Sequence, residues 1–155
     1  MILKPTAKTT DPSLNIEQAR LECKELAKAR AKISAGVAII PIPFLDVAID
    51  VVMLSKLLPE ISAKFGLEDG NLSDSERQKN ITDRIMTFAG LVATRSVVNQ
   101  TVKGFGTRII GKQIAKYVPL GGQIVAGTLG YLIFKKIADE HIENCYKTAK
   151  EARKI

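Results

Sequence analysis

The 155-residue sequence predicts an all-α fold of about five helices in antiparallel hairpins, with no sheet. Three observations predict it. Apolar residues recur at helical spacing through most of the chain. Proline and glycine gather near residues 41–43, 66–73, 103–106 and 118–122, between those segments. No segment between turn signals alternates as a strand would. The length is that of one domain and is enough to bury a core. Hydrophobic residues at 46% and charged residues at 25% exclude intrinsic disorder.

The elements follow in order. Residues 1–12 are polar, carry two prolines and are expected as a flexible tail, leaving 13–155 as a single helical domain. Ser13 or Asn15 can cap a first helix, along which Ile16, Ala19, Cys23, Leu26, Ala27, Ala31 and Ile33 recur among Lys, Arg and Glu. Pro41 and Pro43 then interrupt an apolar run from 33 to 55. Pro43 suits the first turn of a second helix, with Asp46 near its positive end. That helix is expected to reach Phe65, with a kink or break at Pro59 and a stop at Gly66. After an acidic loop, Ser73-Asp-Ser-Glu76 forms a capping box for a third helix to about Val102. A short fourth helix is expected over 106–117, and a break at Pro119-Leu-Gly121-Gly122 precedes a last helix from Gln123 to Lys154. The expected core is Ile39, Ile42, Leu45, Ile49, Met53 and Leu57 with Ile124, Leu129, Leu132 and Ile133.

Neither terminus carries a secretory or lipidation signal, and Cys23 and Cys145 are too few and too far apart for a disulfide framework. A cytoplasmic chain that reaches a membrane surface is the expectation. The net charge is +7 and is unevenly spread. The 55 positions between Asp83 and Asp139 hold eight Lys and Arg residues and no acid. Within them Arg108, Lys112 and Lys116 stand four apart on one helical face, while Phe105, Ile109 and Tyr117 belong to an apolar side. This is the pattern of a basic amphipathic helix lying on an anionic bilayer. The plainer reading of the same residues is a solvated face whose apolar side packs inward.

Residues 117–134 are 18 positions without charge, the lower limit for a spanning helix. Gly122, Ala126 and Gly130 would form a small-residue face suited to close helix contact. Pro119 and the glycine pair shorten the expected helical part, so a buried core helix competes with a spanning one. In the earlier apolar run, Asp46 and Asp50 would each cost about 2.5–3.5 kcal/mol near a bilayer centre.

Four patterns imitate chemistry. Gly106 to Lys112 matches a phosphate loop, but Gln113 stands where Ser or Thr would hold magnesium, and no strand precedes it. Asn80-Ile81-Thr82-Asp83 imitates a guanine-reading motif but has Ile81 in place of its lysine. His141, the one histidine, offers with Cys145 two metal ligands where a structural zinc needs four, and is expected on a solvated charged face. Asp46 and Asp50 share a helical face. They read as a helix-start acid and an internal partner for a Lys or Arg rather than a catalytic pair. No cofactor, metal site or catalytic residue is therefore expected.

The run Ala38-Ile-Ile-Pro41-Ile-Pro43-Phe44-Leu-Asp46-Val-Ala-Ile-Asp50, the ending Lys64-Phe65-Gly66-Leu67, and the later Lys116-Tyr-Val-Pro119-Leu-Gly121-Gly122 carry a resemblance. Over residues 25–140 the chain resembles the helical domain of bacterial GTPase-associated membrane proteins, itself related to the C-terminal helical domain of immunity-related GTPases. Phe44 stands where the immunity-related branch has Gly, so the bacterial branch fits better. The GTPase domain is absent. The resemblance implies membrane association and coupling to a GTPase in trans, and it brings no active site. Expected partners are anionic membrane lipid, a GTPase and a second copy of the chain. The competing functions are a membrane-inserting or pore-forming effector and a nucleic-acid-binding module. Against the last, aromatics are scarce and no reading motif is present.

Overall fold

The computed structural model describes residues 5–7, 13–37, 45–69, 72–103 and 118–153. The protein is all-α. Among these residues there are four helices, α1 (Ile16–Val37), α2 (Leu45–Lys64), α3 (Asp74–Lys103) and α4 (Val118–Ala152). The short helix expected over 106–117 lies outside the described residues. So does the Pro41–Pro43 turn.

The helix boundaries follow from local chemistry. Of the two candidate caps, Asn15 serves α1: its Oδ1 accepts from the Gln18 amide at 3.1 Å. The expected capping box opens α3, with the Ser73 amide donating to Glu76 Oε2 at 3.0 Å and the Glu76 amide to Ser73 Oγ at 3.4 Å. The Ser73 hydroxyl, donating to Glu76 Oε2 at 2.7 Å, and then the Ser73 amide hold the Glu76 carboxyl below its ordinary range. Gly66 ends α2 with a φ of 68°, a conformation natural to glycine. Pro59 does not break α2, which runs through it.

The break expected at 118–122 is corrected. α4 starts at Val118 and carries Pro119, Gly121 and Gly122 within it. Pro119 falls in the first turn, where a backbone amide has no acceptor inside the helix, so its missing proton costs nothing. One strand pairing adds to the helices: β1 (Pro5–Ala7) runs antiparallel to β2 (Leu67–Asp69), with Thr6 opposite Glu68. It ties part of the first twelve residues to the α2–α3 connection.

Contacts at two levels fix the directions of α1, α2 and α4. Ser34 on α1 meets Asp50 on α2, and Glu22 meets Lys64, so α1 and α2 are antiparallel. Arg20 meets Glu143, and the Leu14 carbonyl accepts from Arg153, so α1 and α4 are antiparallel too. Asp50 lies beside Gly130, and Ser62 beside His141, so α2 and α4 run the same way. The end of α1, the start of α2 and the start of α4 therefore lie at one end of the bundle. Beyond the Asp50–Gly130 level, α4 reaches about seven residues further than α2, or ~10 Å at the helical rise.

The core is built from one stripe of each helix. Cys23, Ala27 and Ala31 on α1 are small, which lets α4 approach with Phe134, Ile137, Ile142 and Cys145. Leu54, Leu57, Leu58 and Ile61 on α2 and Ile81 and Ile85 on α3 complete it. Of the expected core, Leu57 and Ile133 are buried, while Ile49, Met53 and Leu129 are half-buried. Leu132 is a correction, being 56% exposed. It stands one residue, and so about 100° around the helix, from the Ile133 stripe that packs inward. Ile33 is likewise 59% exposed, off the stripe of Ala27, Ala31 and Ser34. Ile39 and Ile42, and the side chains of Leu45 and Ile124, lie outside what is described.

Leu57→Ala should destabilise the fold by about 2–5 kcal/mol, as expected for a fully buried leucine. Leu132→Ala should stay within about 0.5 kcal/mol of the parent. Urea unfolding followed by helical circular dichroism distinguishes the two.

Candidate functional site

The sequence-derived membrane residues Phe105, Arg108, Ile109, Lys112, Lys116 and Tyr117 lie outside the described residues. So do Pro41, Pro43 and Phe44 of the proline motif. The helices that flank these segments are described, and they place polar groups at two levels of the core.

The first level is near the end where α1 finishes and α2 begins. Asp46 is the second residue of α2, and Asp50 follows one turn later. Asp50 is buried and accepts a hydrogen bond from the Ser34 hydroxyl of α1. Its other oxygen lies 3.9 Å from where a Cβ on Gly130 of α4 would stand. Gly130 thus gives this carboxylate room between three helices. The lysine or arginine partner expected for an internal acid is replaced in this contact by a serine hydroxyl.

The second level corrects the reading of His141. It is 1% exposed rather than solvated. Its Nε2 lies 2.8 Å from Ser62 Oγ and 3.1 Å from the Leu58 carbonyl, both on α2. Ser62 Oγ is also 3.6 Å from Cys145 Sγ, one turn beyond His141. The signal was present in the sequence. Phe134, Ile137, Ala138, Ile142, Cys145 and Ala149 form a helical stripe, and His141 sits at its centre. The neighbouring acids Asp139, Glu140 and Glu143 flank that stripe and drew the histidine towards solvent in the reading.

Ser62, His141 and Cys145 are thus brought together by packing, fully withdrawn from solvent. The trio joins α2 to α4 by hydrogen bonds. No group of three or more His, Cys, Asp or Glu among the described residues has the arrangement of a metal site. Cys23 and Cys145 are both buried and free of disulfides. Burial pushes the Cys23 thiol up to about 11, which makes it unreactive at neutral pH.

The charged residues sort to the flanks of α4. Glu143 accepts from Arg20 at 2.8 Å and lies 2.9 Å from Lys24, while Arg84 of α3 donates to Glu140 at 2.6 Å. Partial burial acts to raise the Glu143 carboxyl, but the bonds from Lys24 and Arg20 hold it below its ordinary range. Arg84, Lys136 and Lys147, with Asp139, Glu140 and Glu143, line a groove of about 380 Å³ between α3 and α4. Its positive and negative side chains balance, so it selects no ion by net charge. Arg20 and Lys150 also stand 4.9 and 5.5 Å from the Tyr146 ring.

Two outcomes follow. His141→Ala should cost about 2–4 kcal/mol, and Ser62→Ala about 1 kcal/mol, in urea unfolding. The double variant should cost less than their sum, because the residues share a bond. For Glu143, the folded carboxyl titrates below the unfolded value near 4.5, so its stabilisation is present above that pH and is lost as the pH falls through the folded value. Glu143→Gln should therefore lower the melting temperature at pH 7 and lose its effect in strong acid.

No family model, no curated protein and no solved structure matches the chain. Its function is read from its own residues.

Proposed function

We propose that this chain is a non-enzymatic, membrane-associated helical domain that binds anionic bilayer through the basic amphipathic segment at 105–117 and the apolar hairpins. One observation carries the reading: the end of α1, the start of α2 and the start of α4, which flank residues 38–44 and follow residue 117, all lie at the same end of the bundle. Residues 38–44 are wholly uncharged, and residues 104–117 hold Arg108, Lys112 and Lys116 without an acid. A single approach would bring both to one surface. Such basic residues near an anionic membrane contribute about 1 kcal/mol each.

Association at the surface is favoured over spanning. No helix of the described residues is long and apolar enough to cross a membrane. Asp50, buried and hydrogen-bonded within the bundle, also speaks against inserting the α1–α2 hairpin as it stands. The non-enzymatic part of the reading is supported by the burial of His141 and Ser62, which gives a substrate no access to the one imidazole. Coupling to a GTPase in trans rests on the resemblance over residues 25–140.

Reversing Arg108, Lys112 and Lys116 to Glu should reduce sedimentation with phosphatidylglycerol-containing liposomes about a hundredfold or more, with unchanged helical content. Raising the salt to 1 M, where screening shortens to about 3 Å, should weaken the parent as well. Equal, salt-insensitive binding to neutral and anionic liposomes would refute an electrostatic attachment. Release of a trapped dye would favour the pore-forming reading instead.

A further inference from the structure

Three contacts fix how α1 lies against α2: Ser34 with Asp50, Arg30 with Glu60 at 3.7 Å, and Glu22 with Lys64 at 3.3 Å. Arg30 and Glu60 are partly exposed and mark the outer side of this seam. Leu26 and Ile33 stand four residues before and three after Arg30, so they share its side of α1. Lys56, Met53 and Val52 stand four, seven and eight residues before Glu60, and share its side of α2. Ile33 is 59% exposed and Val52 46%, while Leu26 and Met53 are half-buried. The two helices are antiparallel, so Ile33, just before Ser34, lies at the height of Val52 and Met53, just after Asp50. One apolar patch therefore crosses the seam.

The other exposed large hydrophobic residues stand apart. Leu21 is twelve residues before Ile33, ~18 Å along α1 and about 120° around it. Leu132 lies on α4, away from this seam. Met86 and Leu91 are five residues apart on α3, about 140° around that helix from one another. The α1–α2 patch also has room beside it. Ala29 and Gly36, four residues before and three after Ile33, are exposed, and a Cβ on Gly36 would meet nothing within 4 Å. Small residues at these positions let another helix come close.

We propose that this α1–α2 face docks a second copy of the chain, with α1 of each copy over α2 of the other. A two-fold axis running along the seam keeps every residue at its own height. Ile33 of one copy then meets Val52 and Met53 of the other, and the reverse. The charges match in the same arrangement. Along the seam α1 presents Glu22 and then Arg30, and at those heights α2 presents Lys64 and then Glu60. Each acid of one copy thus faces a base of the other. Lys56 adds one further cation beside Glu60. The two acids make this face a poor match for an anionic bilayer. The inference is independent of the membrane reading, which uses the end of the bundle.

Analytical ultracentrifugation of the full chain, from about 1 μM to about 1 mM, should show a monomer–dimer equilibrium. Ile33→Glu and Val52→Glu, at exposed positions and with unchanged circular dichroism, should each weaken it about tenfold or more. Leu21→Glu and Leu132→Glu should leave it as in the parent. Charge reversal gives the sharper test. Arg30→Glu and Glu60→Arg should each weaken self-association, because like charges then face one another at both contacts. Mixing these two variants should restore the dimer, since Glu again faces Arg at both. Damage to packing within one chain would not be repaired by mixing. A parent that stays monomeric throughout, dimers untouched by Ile33→Glu and Val52→Glu, or mixed variants that remain monomers would each overturn the proposal. So would dimers lost with Leu132→Glu alone, which would put the interface on α4. If Ile33→Glu and Val52→Glu instead release a monomeric parent from phosphatidylglycerol-containing liposomes, the patch belongs to lipid and the dimer is refuted.

Discussion

The hydrogen bonds that α2 makes inside the core set the register of the bundle. Apolar stripes alone tolerate a slide of one turn, because one leucine replaces another at similar cost. Asp50 and Ser62 do not permit this, since a slide would leave a carboxylate, a hydroxyl and an imidazole buried without their partners. With Ser34 facing Asp50 and His141 facing Ser62 and the Leu58 carbonyl, α2 is fixed against α1 and α4 at two heights. Gly130 is part of the same constraint, since its lack of a side chain leaves the space beside the Asp50 carboxylate.

That register decides where the rest of the chain goes. α1 and α4 are level at one end, where Arg153 reaches the Leu14 carbonyl and Tyr146 reaches Glu17. The extra length of α4 must then project at the other. The ion pairs of Arg20, Lys24 and Glu143 and of Glu22 and Lys64 lie towards the level end. They are partly exposed and contribute little each, so the stability of the fold comes chiefly from the buried stripes. They pair charges of α1 with those of α2 and α4 at that end.

In this domain the ion pairs of Glu22, Glu140 and Glu143 join neighbouring helices. Its interior polar groups hold helices together rather than face a substrate, and its thiols are enclosed.

Much of the fold was legible in the sequence because it depends on neighbours a few residues apart. The Ser73–Glu76 box, the Gly66 stop, the extent of α3 and the inward stripe of α1 are local matters of capping and period. The charge asymmetry was legible for the same reason, as a property of order alone. Other features depended on which helix lies next to which. Pro119 ends one helix or begins another with equal plausibility until the chain before it is placed. Leu132 and Ile33 continue an apolar pattern, yet they miss the stripes that neighbouring helices cover. His141 lay among acids in the sequence and was assigned to solvent with them, although its own position belonged to the buried stripe. Periodicity determined from the sequence which residues form helices. Only the tertiary structure decided where an apolar pattern is covered and where, as at Leu132 and Ile33, it is left exposed, because burial is fixed by contacts between segments far apart in the chain.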